Sequence, residues 1–393
     1  MSQLVYPKAA RRLRLGMVGG GRGALVGEWH AMGIRMSNRW DLVAGALSSR
    51  PDVAKASGED WMLDPQRTYT DYRDMAAREA AREDGIDAVV VCTPNGSHAA
   101  IAKAFLEAGI DVICDKPMTA SMEDAADLVR VARNSGLFFG ITYTYSFHAM
   151  ARQMKAMVAK GMIGKVRQAH VEYVQDWASG AQEVQTKQSG WRRDPAQAGR
   201  GSATGDIGTH AFHLLHFVLD DSVQRVSARF HVCGGAPAME DTAFMQLEMG
   251  SGAPATLWCT QAAPGNACGL RLRVYGESGG LEWDQERPDE LRFAPVGEAP
   301  RLITRGAGEG ILPEAAKSIR LPRGHAEGVP DAWCNCYTEM AIGVTARREG
   351  HALGPGVIDV PDVMDGARGV FFVDAAADSA ETDGAWQPCW YEA

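Results

Sequence analysis

LRLGMV, residues 13–18, runs straight into GGGRGA, residues 19–24. An apolar run ending on glycines reads as a β-strand turning sharply into a helix. Gly19, Gly21 and Ala24 fit G-x-G-x-x-A, a permitted variant of the dinucleotide fingerprint, with Arg22 and Gly23 between them. The first glycine makes the turn and the second lets backbone approach a pyrophosphate. The small third residue lets the helix pack on the strand, so phosphates meet the helix N-terminus. Taken alone, the motif also fits a glycine-rich turn without a ligand, so its surroundings decide.

Outward from this turn, short apolar runs alternate with longer amphipathic segments. The runs predict strands over 13–18, 42–47, 67–70, 88–92, 112–114 and 138–142, with helices over 71–83, 98–108 and 122–134. That βαβ rhythm predicts a parallel sheet with helices on both faces. Ser121 ahead of Glu123 and Asp124 marks a helix start. After Tyr145 the texture changes. A helix over 149–160 and a strand over 166–177 precede a polar stretch, 178–205, and a helix over 207–219. Strands are then expected over 223–232, 243–248, 255–261, 270–275, 281–283 and 291–293, separated by glycine-rich turns at 250–252 and 276–280. This spacing predicts a mostly antiparallel sheet. Residues 295–325 read as an irregular loop, and helices over 331–348 and 367–379 close the chain.

The 393 residues suffice for two or three domains, and 46% hydrophobic with 23% charged residues is ordinary for a globular protein. A net charge of −9 gives no electrostatic case for nucleic acid or an anionic membrane. The eight cysteines show neither CxxC pairs nor zinc spacing, and Cys92 and Cys114 sit in apolar runs as small core residues. The set fits a reducing compartment. The first 21 residues carry too short an apolar run for a signal peptide, and no run approaches the ~18 residues that span a bilayer. A soluble cytoplasmic protein is expected.

Four constellations carry chemistry. The strand over 42–47 ends Leu47-Ser48-Ser49-Arg50, where the fingerprint usually places an acid for the ribose. Hydroxyls and an arginine suit a 2′-phosphate, yet Arg50 reads equally as a solvated turn residue, so NAD and NADP both stay open. Thr93-Pro94-Asn95, with His98 beyond, closes the strand over 88–92, at the edge where open α/β sheets bind ligands. Those three are also ordinary turn residues, and His98 reads better as a packed helix histidine. Lys116-Pro117 ends the next strand, where an ammonium could hydrogen-bond a reacting hydroxyl. Last comes Asp206-Ile207-Gly208-Thr209-His210-Ala211-Phe212-His213. On a helix beginning near Asp206, residues 206, 210 and 213 share a face. A carboxylate beside an imidazole can serve as a general base; the alternative is an Asp cap with a part-buried histidine. His210 and His213 lack a third ligand, so no metal is expected.

In this order, the glycine turn, Asp115-Lys116-Pro117 and Asp206-x-Gly208-x-His210 resemble the glucose–fructose oxidoreductase / inositol dehydrogenase / MocA superfamily. Asp115 stands where the family carries Glu, and 161–166, GMIGKV, resembles its passage into the second domain. The resemblance spans about residues 12–385. It implies an α/β protein: a Rossmann domain over 1–145, and over 146–393 a substrate-binding domain on a large, mostly antiparallel open sheet that forms a dimer or tetramer interface. It implies that Lys116 contacts the nicotinamide ribose and substrate hydroxyl, while Asp206 and His210 handle the proton. His213 replaces the family's Asp or Asn, and Tyr143-Thr144-Tyr145 replaces its Asn/Arg segment, so the pocket differs there. Substrate contacts are also expected from Tyr145, Gln175, Trp177, Lys187, Trp191 and Arg192: a tryptophan suits a sugar face, and Lys or Arg suits an anionic group. These can equally be loop or interface residues.

The expected function is an NAD(P)-dependent dehydrogenase of a sugar, inositol or related polyol. A second reading is a glycosidase that oxidises, eliminates, hydrates and re-reduces its substrate. A third is a dinucleotide-binding sensor without catalysis, against which the intact Lys116, Asp206 and His210 speak.

Overall fold

A computed structural model describes residues 11–180, 195–234, 239–306 and 308–392. The glycine turn lies where expected, between β1 (Leu13–Gly19) and α1 (Leu25–Ser37). β2 (Trp40–Ala46), α2 (Pro51–Asp60), α3 (Tyr72–Ala80), β3 (Ala88–Cys92), α4 (His98–Glu107), β4 (Asp111–Cys114), α5 (Met122–Ser135) and β5 (Phe139–Ile141) follow. Their strands form one parallel sheet in the order β2-β1-β3-β4-β5. The order reverses between β1 and β3, so a crevice opens at their carboxyl ends. Ser121 caps α5 by accepting from the Asp124 N–H, as the sequence implied.

The strand expected over 67–70 is not part of the sheet. Pro65 opens a 3-10 turn, Pro65–Arg67, whose start is capped by Asp64, and the chain then touches β2 at one bridge, Gly45 to Thr68. A proline cannot donate to a ladder, and the capped turn leaves too few extended residues for more.

The second sheet follows α6 (Ala149–Ala159). It is built from β6 (Val166–Val174), β7 (Val223–His231), β8 (Thr242–Met249), β9 (Pro254–Thr260), β10 (Gly269–Gly276), β11 (Gly279–Asp284), β12 (Glu290–Pro295), β13 (Arg301–Thr304) and β14 (Gln387–Pro388). Their order is β13-β12-β11-β10-β6-β9-β8-β7-β14, antiparallel throughout except where β6 meets β9. β8 shows why one face is buried: Ala243, Met245, Leu247 and Met249 point inward while Phe244, Gln246 and Glu248 point out. α6 and α7 (Thr209–Leu219) cover the inner face. The loop expected over 295–325 is also corrected. Arg301–Thr304 pairs with β12 at the sheet edge, and Pro313–Ala316 makes a helical turn. An edge strand with little burial carries no alternating pattern to read.

Two late helices tie the layers together. α8 (Val329–Arg348) lies on α1, with Trp333, Tyr337, Met340 and Val344 in one core with Leu15 and Met17. Gly33 permits the approach, because a Cβ there would stand 2.7 Å from the Tyr337 ring. α9 (Val363–Glu381) buries Val363, Ala367 and Val370 against the parallel sheet and Phe372, Val373 and Ala376 against the second. Among the described residues, no helix is long and apolar enough to cross a membrane, and no cluster of ligating side chains could hold a metal ion.

Candidate active site

A cleft of about 480 Å³ runs along the carboxyl edge of the parallel sheet. Its walls include Gly19–Ala24, Ser48, Ser49, Thr93–Asn95, Lys116, Pro117 and Asp206. Gly21 must be glycine, since a Cβ would sit 2.5 Å from the Leu47 carbonyl oxygen, which accepts the Gly21 N–H. Ala24, the N-cap of α1, offers no side-chain acceptor, so the first N–H groups of that helix are free for an anion. A glycine cradle facing an uncapped helix start inside a cleft fits the pyrophosphate of a dinucleotide.

The β2 edge is less simple. Ser48 and Ser49 line the cleft, but the Arg50 guanidinium lies outside the lining, bonded to Asp52 at 2.8 Å. Arg22 lines the cleft and reaches Asp60 at 2.7 Å. At the β3 edge, Asn95 Nδ2 donates to the Ala198 carbonyl, drawing the second domain onto the cleft. His98 is buried between the carbonyls of Thr93 and Pro117, 2.6 and 3.0 Å from its ring nitrogens, and burial lowers its pKa. It braces the two loops.

Lys116 Nζ donates to the Asp206 carbonyl at 2.6 Å and to Asp206 Oδ1 at 3.1 Å. Gln261 Nε2 donates to Asp206 Oδ2 at 3.0 Å. Behind Lys116, the Asp115 carboxylate accepts from the Lys116 N–H and the Thr142 hydroxyl, with His30 Nε2 3.8 Å away. Burial would raise the Asp115 pKa, but His30, Lys116 and Thr142 outweigh it and hold the carboxyl well below the usual range.

Asp206 does not cap a helix, the alternative to a catalytic carboxylate. It lies inside a π-helical turn, Thr204–Gly208, that runs directly into α7. The wide turn is anchored by the Glu240 carboxylate, which accepts the Ser202 N–H at 2.8 Å and the Thr204 N–H at 2.9 Å. Such turns recur at functional sites because they re-aim side chains. Here the turn sends Asp206 onto Lys116 and Gln261. His210 stands one turn on, partly accessible, its Nδ1 buried without a hydrogen-bond partner. Burial and then the Lys116 ammonium push its pKa well below 6.5, so the ring is neutral at neutral pH. A neutral imidazole keeps a lone pair on one ring nitrogen and can accept a proton there.

Tyrosines surround that imidazole: Tyr143 edge-on at 5.9 Å, Tyr145 edge-on at 4.8 Å and Tyr173 tilted at 6.2 Å. Tyr145, from which a substrate contact is expected, thus lies beside His210. His213 instead stacks on Tyr143 at 4.2 Å, buried, its pKa pushed down by burial to about 3. Gln175 and Trp177 follow β6, where Trp177 Nε1 donates to Gln175 Oε1 at 3.1 Å and the indole is 44% exposed. Lys187, Trp191 and Arg192 lie outside the described residues. The sequence reading missed Gln261, Glu240, Tyr173 and the supporting role of Asp115. Of these, only Asp115 lay in a motif that could have signalled it.

Comparison with known proteins agrees with this fold. The model of an oxidoreductase family with an NAD-binding Rossmann fold matches residues 13–143. That of the GFO/IDH/MocA C-terminal domain matches residues 151–282. The oxidoreductase YfiI of Bacillus subtilis is 32% identical over 96% of this chain and 97% of its own. An inositol dehydrogenase homologue of Azotobacter vinelandii, solved with NAD+, is 34% identical with a TM-score of 0.92, covering 98% of this chain and 99% of its own. The same homologue solved with NADH and myo-inositol gives a TM-score of 0.89 over 96% of this chain and 98% of its own. An oxidoreductase of Sinorhizobium meliloti is 43% identical with a TM-score of 0.86, covering 96% of this chain and 99% of its own.

Proposed function

Because the chain belongs to the Gfo/Idh/MocA family of NAD-binding oxidoreductases, we propose that it oxidises a carbinol carbon of a neutral cyclic polyol or sugar, or reduces the matching ketone. The observation that carries the reading is the Lys116–Asp206 pair in the cleft wall, with a neutral His210 one helical turn beyond Asp206. Bound NAD supplies the hydride acceptor. An ammonium has three N–H donors; Lys116 places two on Asp206 and keeps one for the substrate oxygen. That donor stabilises alkoxide character as the carbinol hydrogen leaves. His210 accepts the hydroxyl proton. Asp206, fixed by Gln261, orients Lys116 and balances its charge. The relative solved with myo-inositol supports a ring polyol as substrate.

NAD is the cofactor we favour over NADP, since a 2′-phosphate near Ser48 and Ser49 would have to displace Asp60 from Arg22. A homo-oligomer through the outer face of the second sheet also belongs to this proposal. Phe244 and Trp258 stack there at 5.9 Å, with Tyr275 exposed on β10 and Leu302 on the edge strand β13.

The test joins binding to turnover. NAD titration should quench tryptophan fluorescence, and a ring polyol should then raise absorbance at 340 nm. Lys116→Ala and His210→Ala should each lower turnover about 10²-fold or more, with NAD affinity within a few-fold. Unchanged turnover in both variants would remove the mechanism. Glycoside cleavage without net NADH would replace it with the redox-neutral glycosidase, and cofactor binding with no turnover of either substrate class would leave a sensor.

A further inference from the structure

Three segments far apart in the chain meet beside His210. Tyr145 comes from the turn Thr144–Phe147 after β5, Tyr173 from β6, and Cys268 from the residue before β10. The two phenol oxygens lie 2.5 Å apart. Cys268 Sγ is 3.2 Å from the Tyr173 oxygen and 3.8 Å from that of Tyr145. Burial pushes both phenol pKa values up, so each oxygen keeps its proton. Cys268 is held from behind, its N–H donating to Glu286 Oε1 at 3.0 Å.

Three hydrogens serve three contacts, and one of the contacts is long. Each phenol has one O–H and the thiol one S–H. With Tyr145 donating to Tyr173 and Tyr173 donating to Sγ, the S–H is left with the Tyr145 oxygen at 3.8 Å, the longest of the three contacts and the one a substrate hydroxyl most easily replaces. Tyr145, His210 and Cys268 are each partly accessible, whereas Tyr173 is buried. The cluster therefore presents a neutral donor–acceptor face through Tyr145 and Cys268, backed by the buried Tyr173 and beside His210.

We infer that Tyr145, Tyr173 and Cys268 form a subsite for a second hydroxyl of the substrate, distinct from the one oxidised, and that Tyr173 and Cys268 help determine specificity. This rests on the polyol reading above. A neutral trio that both donates and accepts suits an uncharged hydroxyl. None of the three side chains carries a positive charge to match a carboxylate or phosphate. The class selected is a ring with a free hydroxyl beyond the reacting carbon.

Tyr173→Phe and Cys268→Ala, with Cys268→Ser as the conservative partner, are assayed on the polyol that the wild type turns over fastest. Loss of the Cys268 contact to substrate in Cys268→Ala, and of the buried Tyr173 hydroxyl that positions Sγ in Tyr173→Phe, should each raise KM about tenfold, with kcat within about threefold and NADH affinity unchanged. Cys268→Ser should recover most of the KM. Independently of activity, alkylation of Cys268 by iodoacetamide, read by peptide mass spectrometry, should slow when that polyol is added to the NADH complex, but not with NADH alone. If the polyol is turned over yet neither KM nor alkylation responds, the subsite is wrong and the proposed function stands. If wild-type protein turns over no polyol, both fall together.

Discussion

In the proposed function, Asp60 is the residue on which cofactor choice turns. Its carboxylate occupies the Arg22 guanidinium at the cleft, in an exposed pair that contributes little to stability. Asp60→Asn should free Arg22 and remove a charge that repels a 2′-phosphate, so affinity for NADPH should rise about tenfold relative to NADH. Competitive fluorescence titration of the two reduced cofactors reads the ratio; an unchanged ratio would place the 2′ position elsewhere. His210 yields a prediction with a sign. Burial and Lys116 lower its pKa, and the oxidation direction needs the neutral ring. The acid limb of kcat/KM for oxidation should therefore fall below pH 6.5. Lys116→Met removes a cation that opposes protonation, so the His210 titration followed by NMR should move upward. A limb above pH 6.5, or a downward shift, would contradict the assignment.

At the scale of an element, the π-helical turn Thr204–Gly208 is what aims Asp206, and Glu240 anchors it with two accepted N–H bonds. Glu240→Ala leaves buried donors unsatisfied and loosens the turn. Turnover should fall about 10- to 100-fold while NADH affinity, set on the other domain, stays within a few-fold; Glu240→Gln should lie between. Equal losses of kcat and NADH affinity would point to general unfolding. The same element shows what could be read beforehand. Lys116 and Asp206 were legible because each sits in a short motif at a strand end or helix start. Gln261 and Glu240 were not, because they reach Asp206 and its turn from β-strand ends across the second sheet, and one sequence does not reveal that pairing. Periodicity gave most strands and helices. It failed at 67–70, where Pro65 opens a turn, and at Arg301–Thr304, an edge strand with little burial.

Across the whole molecule, acid stability depends on buried neutral histidines that join the layers. His213 stacks between Tyr143 and Phe217, and His148 lies between Tyr145 and Trp283; burial lowers their pKa values to about 3 and about 4. Unfolded histidine titrates near pH 6.5, so below that pH the unfolded chain binds protons that the folded one refuses. Stability is whole above pH 6.5 and is lost as pH falls toward 4, by roughly 1.4 kcal/mol per pH unit for each such group. Depressed carboxylates act in a lower window, since Glu172 and Asp365 sit near 2. Between pH 7 and 5 the histidines should dominate. The urea midpoint should drop across that range, and His213→Phe, which keeps an aromatic ring against Tyr143, should flatten the drop by about one proton's worth. A midpoint that falls as steeply in His213→Phe as in the wild type would mean that this imidazole takes up its proton without unfolding, and that the stack on Tyr143 opens in the native state.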